Sequence, residues 1–557
     1  MTDIHTGTEQ LRSVLCLLLV CGSLRNIRLE YHRLLDRVLS SLSSLPNILN
    51  RVRASSVLAR MAIENVDSKS LSDRLVRPIV RAFDTYFRQP KTEQNVRRWV
   101  CAADFLNDLY FHNTQQKSKT MKANYICAHG LTESISNESF VSRVASSLPD
   151  RALYEEYQRW LSRQQKNGVF SMMKYAFLLD AASKRRVLQL EARFGMIQRG
   201  RNAMFQSMFR RTSPYFVLSV RREAILRDTL NRINQILREQ MQQEMKKELK
   251  VVFANEEGID QGGVKREFFQ LLVEELFNPL YVSFFRFITL VHTHINNNNR
   301  YGMWIRNKKS GTYWFAAHNE LMSSSDDLNN YFLTGIALGL CVYNGVLLDI
   351  DFPNILYKKL LSEPIGLPDL KDLMPSEYDG LMKLLQYDKD DIEDVFCLNF
   401  EVTVNDFGSV TTHELVKGGS DKEVTLKNKC EYVDLVCDFY LNKRVDAQFK
   451  AFARGFATLV DGKSFEFFTS SELDLLVAGE TELDFKAMEQ AALYEGGYSH
   501  GHPVIRRLWT VLHGLTRKDR AKFLKFVTGC PRAPIGGLGK LTPPLKIQRH
   551  GGRISPP

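Results

Sequence analysis

Cysteine is scarce in this sequence and arranged for no evident purpose: nine in 557 residues, with no CxxC pair and no zinc-ligand spacing. An odd, scattered set excludes a disulfide framework and a structural zinc site, and it fits reduced thiols in the cytosol or nucleus. Long hydrophobic runs are missing as well. The run Val14–Val20 is far too short to cross a bilayer, and Asp3 and Glu9 stand where a signal peptide would be basic. Leu11, Val14, Leu15, Leu18 and Leu19 fall instead at helical spacing, which predicts a buried helix and no membrane partner. Charge of one sign is only mildly in excess: 75 Lys and Arg against 63 Asp and Glu give +12. The arginines are spread along amphipathic stretches, so a solvated basic surface is expected rather than a nucleic-acid patch. What the chain does have is length and 44% hydrophobic residues, enough for several cores.

Residues 1 to 210 read as helical. Leu29, Tyr31, Leu34, Leu35, Val38, Leu39 and Leu42 keep a period near 3.6, and similar stripes recur at Ile79–Phe87 and Val100–Leu109, with no fixed repeat. The polar stretch Gln116–Asn124 reads as a loop. The basic run Ser183–Arg211 interleaves arginines with Val187, Leu190, Phe194, Met196 and Ile197, the pattern of a helix with a charged outer face.

From Ser213 the text becomes specific. Residues 213–230, S-P-Y-F-V-L-S-V-R-R-E-A-I-L-R-D-T-L, alternate like a strand and then pass to helical spacing. Leu249–Phe253 reads as a second strand, followed by Gly262-Gly263 and a helix carrying Phe268, Leu271, Leu272, Leu276 and Phe277. That glycine turn carries neither G-K-[ST] nor G-x-G-x-x-G, so a phosphate cradle is a weak reading. Gly335 and Gly339 lie four apart on an apolar helix, a spacing that permits close helix packing. Near the end, Phe526–Leu541 reads F-V-T-G-C-P-R-A-P-I-G-G-L-G-K-L, a strand giving way to turns.

These stretches, in this order over roughly the last two thirds of the chain, resemble the HECT-type ubiquitin ligases, most of all the papillomavirus-associated branch. Phe170–Met196 resembles the helical segment before that branch's HECT domain. The resemblance implies an α+β fold: a helical region (1–210), a HECT N-lobe (211–493) with an insertion at 282–300, a hinge (494–498) and a truncated C-lobe (499–557). It implies a relay in which ubiquitin passes from a conjugating enzyme to a ligase cysteine and then to a substrate lysine, without cofactor or metal. Sulfur suits such a relay, because a thiolate is nucleophilic and its thioester stays activated towards amines.

The resemblance places the conjugating-enzyme groove on Leu381 and Leu385 of one helix and on Tyr432 and Val436 of another. Each pair is spaced i, i+4 and so shares a helical face; by spacing alone all four read as core, and only the resemblance makes them a groove. Gly496 and Gly497 in Y-E-G-G-Y fall where the hinge would be. The family's acceptor cysteine would lie beyond Pro557. Cys530 stands in place of a turn Ser or Thr, and Cys101, Cys127, Cys341, Cys397, Cys430 and Cys437 read as core. A non-catalytic module that binds conjugating enzymes is the rival reading. Without a full C-lobe, Phe526, Val527 and Ile535 should lack packing partners, and disorder or aggregation is expected there. The 282–300 insert ends in four asparagines and reads as sequence not selected to fold; its His292 and His294 make no metal site without further ligands.

Overall fold

A computed structural model describes Ala59 and residues 68–549, except 91, 130–133, 164–170, 208–212, 255, 257–262, 278–302, 308–309, 317–324 and 407–408. The expected helix at Leu11–Leu19, the Leu29–Leu42 stripe and the 282–300 insert with its histidines lie outside the described residues.

The helical region is present. Helices α1 (Arg77–Arg88), α2 (Glu93–Lys119), α3 (Ala123–His129), α4 (Asp150–Arg163) and α5 (Ala181–Ser207) lead the described chain. Phe83, Phe105, Tyr157 and Tyr175 fill one core that also takes in Phe467, nearly 300 residues further along. The loop expected at Gln116–Asn124 is mostly helical, since α2 runs to Lys119 and α3 begins at Ala123. Glutamine and lysine are good helix formers, and polarity alone does not make a loop.

The central body follows. Strands β1 (Tyr215–Val220) and β2 (Glu248–Phe253) pair in parallel, Tyr215 opposite Glu248, with helix α6 (Ile225–Arg238) between them. Phe216, Leu218 and Val220 face the same core as Leu249, Val251 and Phe253, the period-two pattern the sequence carries. Helix α7 (Gly263–Leu276) and the short hairpin β3 (Trp304–Arg306)/β4 (Tyr313–Phe315) pack against it.

Two helices cross at its centre, α8 (Ser325–Tyr343) and, later in the chain, a helix at 446–459. Added at Gly335, a Cβ would sit 2.1 Å from the Phe452 carbonyl oxygen; at Gly455 it would sit 1.9 Å from that of Phe332. The glycines are what allow the backbones this close.

A smaller lobe is inserted between those two helices. It holds α9 (Pro375–Gln386), the antiparallel hairpin β5 (Glu401–Asp406)/β6 (Ser409–Glu414) and α10 (Lys429–Leu441); the crossing helix is then α11 (Asp446–Leu459). After α12 (Ser470–Ala478) a separate core begins at Leu483. It is built from α13 (Phe485–Ala491), β7 (Leu493–Glu495), α14 (Pro503–Gly514), α15 (Arg517–Thr528) and β8 (Lys546–Gln548), which pairs in parallel with β7.

Three expectations about this last lobe need correction. The stretch from Phe526 begins inside helix α15, not as a strand. The Thr516 hydroxyl caps the helix start by accepting from the Asp519 amide (3.3 Å), and Gly529 ends it at φ +80°. A two-residue apolar run could not reveal the period, which Leu524 inside and Phe526 outside make clear.

The expected lack of packing holds for Phe526, 87% exposed, but not for Ile535, which is buried in the central core. Nor do the cores change over at 494–498. Tyr494 accepts from Trp509 Nε1 at 2.9 Å within the terminal lobe, and Leu483 and Phe485 already belong to that lobe's core.

Candidate functional site

The four predicted groove residues come together in the small lobe. Leu381 and Leu385 lie one turn apart on α9, Tyr432 and Val436 one turn apart on α10, and all four join one apolar cluster with Phe400 and Val402. The Tyr432 ring meets Phe400 edge-on at 5.5 Å. Burial is nearly complete, from 3% exposed for Leu385 to 7% for Leu381, and it pushes the Tyr432 hydroxyl up to about 12. In this structure the four therefore shape the lobe from within rather than line an open groove. Among the described residues of this lobe, the large apolar side chains that are exposed are Val395, beside the Phe396 ring that meets Tyr387 edge-on at 5.3 Å, and Val410 on β6. Their spacing in the sequence gives no sign of this.

Lys429 was also missed by sequence reading. Its buried ammonium donates to the carbonyls of Leu385 (2.9 Å) and Tyr387 (2.6 Å) and to Asp388 (2.9 Å). It thereby satisfies the carbonyls at the end of α9 and fastens that helix to the start of α10. A lysine at the start of a helix carries no signal of that reach.

The back of α10 is covered by α3, from the helical region. The Ala123 amide donates to Asp434 Oδ1 at 2.9 Å, and Ala123 and Ile126 are buried in the small lobe's core. Asp434 is two residues from both Tyr432 and Val436, about 200° around the helix, so α3 and the predicted groove residues use opposite sides of α10.

The buried thiols are ill suited to nucleophilic work. Cys530 is buried and burial pushes it up to about 11; Cys437 is pushed up to about 12 by the same cause. Cys101, Cys341 and Cys437 are core, as expected, but Cys127 and Cys397 are exposed and Cys430 is half-buried. Apolar neighbours in sequence placed these three wrongly, because Cys127 and Cys397 lie towards the C-terminal ends of short helices and Cys430 lies in the first turn of α10.

Gly496 and Gly497 form a turn at φ +67° and +90°, as glycine permits. That turn follows β7, which is held by β8: the Leu493 amide donates to the Leu545 carbonyl at 2.8 Å, and Lys546 pairs with Glu495 at 2.6 Å. The chain passes between cores earlier, at Gly479 (φ +78°), next to a reciprocal pair of backbone bonds between Glu480 and Ala533 (2.8 and 2.9 Å). Arg532 pairs with Asp351 of the central body at 2.6 Å, and Lys525 reaches Glu274 at 3.2 Å. Between the lobes lies a cavity of about 330 Å³ that Cys530 helps to line. Among the described residues there is no cluster able to hold a metal ion and no helix long and apolar enough to cross a membrane.

Two lobes joined through one short connection, with an inserted small lobe bearing paired apolar helices, define a bilobal α+β protein. The profile of the HECT domain (ubiquitin-transferase) matches residues 271–555, just over half the chain, and the protein belongs to that family. Similar curated proteins include mouse "Probable E3 ubiquitin-protein ligase HERC4", 36% identical over 68% of this chain and 34% of that protein. Human "Probable E3 ubiquitin-protein ligase HERC3" is 32% identical over 75% of this chain and 38% of its own length. Mouse "Probable E3 ubiquitin-protein ligase HECTD2" is 32% identical over 73% and 50%. The chain thus spans between a third and half of these relatives.

Proposed function

We propose that this chain serves a HECT-type ubiquitin relay, receiving ubiquitin from a conjugating enzyme for transfer to lysines of protein substrates. The observation that carries the reading is the HECT match across residues 271–555, which takes in the central body from α7 onward, the small lobe, the terminal lobe and the connection to it. The docking part is the small lobe: Leu381, Leu385, Tyr432 and Val436 give it shape, and Val395 offers the exposed apolar contact. The pivot between lobes is Gly479–Thr481 rather than Tyr494–Tyr498, since rotation at the latter would have to break β7–β8. Cys530, buried and pushed up to about 11, is not assigned as the thiol that accepts ubiquitin, and the small lobe is assigned the docking of the donor. Within the family, Phe170–Met196 favours the papillomavirus-associated branch. Scattered thiols favour the cytosol or nucleus, and modified substrates would pass to the proteasome.

The test is incubation of the 557-residue chain with activating enzyme, charged conjugating enzyme and ubiquitin, read on a non-reducing gel. Capture of the conjugating enzyme is expected; a reducible ubiquitin adduct would support the relay on this chain, and its absence would sink the relay and leave the docking module. An adduct lost in Cys530→Ala would overturn the exclusion of that thiol. Val395→Asp should weaken capture ten-fold or more at unchanged stability, and unaltered capture would remove the docking assignment.

A further inference from the structure

Helix α3 belongs to the helical region, yet it lies on α10 of the small lobe, some 300 residues later. Its register there is defined at two points. The Ala123 amide meets Asp434 at 2.9 Å, and one turn on, the Cys127 thiol donates to the Leu385 carbonyl at 3.7 Å, the same oxygen that the ammonium of Lys429, next to Cys430, reaches at 2.9 Å. Four residues forward on α3 correspond to four residues back on α10, so the helices run antiparallel and the thiols face each other across the junction. The pair is asymmetric. Cys127 is open to solvent, while Cys430 is half-buried and is pushed up to about 11 by burial, the neighbouring Cys127 adding to the rise.

We propose that Cys127 and Cys430 form a reversible disulfide that fastens the helical region to the small lobe. The oxidant is a low-molecular-weight disulfide such as oxidised glutathione. The exposed Cys127 thiolate attacks one of its sulfurs, forming a mixed disulfide and expelling one glutathione thiolate. Cys430 then loses its proton to solvent and attacks the Cys127 sulfur, expelling the second glutathione. The balance is two protein thiols and one glutathione disulfide to one protein disulfide and two glutathiones. Cys430 resolves rather than initiates because solvent reaches Cys127 more readily.

The protein supplies its own control. Cys397 is also exposed and, like Cys127, donates its thiol to a backbone carbonyl, that of Asp394 at 3.2 Å, but no thiol faces it among the described residues. It should stop at the mixed disulfide.

The test is exposure of the full chain to excess oxidised glutathione, alkylation of the remaining thiols, digestion without reduction and peptide mass mapping. Most chains should yield a peptide linking Cys127 to Cys430 that dithiothreitol abolishes, with Cys397 carrying glutathione alone. In Cys430→Ser the glutathione should remain on Cys127, and in Cys127→Ser the linked peptide should vanish. A wild-type chain in which Cys127 stays free, or keeps its glutathione without the 127–430 link, would overturn the proposal. The readout needs no conjugating enzyme, so it is decided apart from the docking assignment.

Discussion

Asp474 on α12 shows how one residue can set a pH response. Burial first, then the nearby Asp351 carboxylate, push its carboxyl from 3.8 up to about 6. A group whose folded value is raised binds its proton more readily when folded, so its ionisation opposes folding. Stability should therefore be greatest, as far as this group is concerned, below about pH 4, and should fall as pH rises to about 6, by roughly 2–3 kcal/mol. Asp474→Asn should remove that slope, which urea midpoints measured from pH 4 to 7 would check; an unchanged slope would place the titration elsewhere. At this scale the sequence was least legible. Spacing paired Leu381 with Leu385 and Tyr432 with Val436 on shared faces, but it could not say that all four are covered, nor that Lys429 caps another helix. Both facts depend on residues brought in from elsewhere along the chain.

Among elements, the α8–α11 crossing was the most legible, because small residues four apart on an apolar helix have few other uses. Gly455 is the tighter partner. Gly455→Ala would drive a methyl into the Phe332 carbonyl and should cost about 1–3 kcal/mol, seen as a lower urea midpoint. A midpoint within error of the wild type would mean that the helices can part without loss. The β1 and β2 strands were legible for a similar reason, their alternation being long enough to count. Helix α15 was not, since its large apolar residues come as two adjacent pairs, Phe523-Leu524 and Phe526-Val527, late in a charged helix. Its true signals are the Thr516 cap, ahead of the Phe526–Leu541 stretch, and Gly529 within it, which ends the helix.

For the whole molecule, the order of parts was readable and their joints were not. Motifs kept in sequence order gave the body, the small lobe and the terminal lobe; a joint depends on which core each side chain enters. Arg532 is the firmest link between the body and the terminal lobe, pairing with Asp351 at 2.6 Å. Arg532→Ala should loosen it by about 1 kcal/mol, speeding amide exchange at Glu480 and Ala533 about five-fold and leaving Leu338 unchanged. Equal rates at all three sites would show that the lobes are held by packing alone.

The position of α3 also bears on how the chain is made. Ala123 must wait for Asp434, 311 residues later, before its amide finds its carboxylate. At roughly 5–20 residues per second, synthesis leaves the apolar side of α3 without its final neighbour for about 15–60 seconds. During that interval Ala123 and Ile126 face the ribosome's surroundings rather than the small lobe. The nascent chain is then a natural client for a chaperone that covers short amphipathic helices.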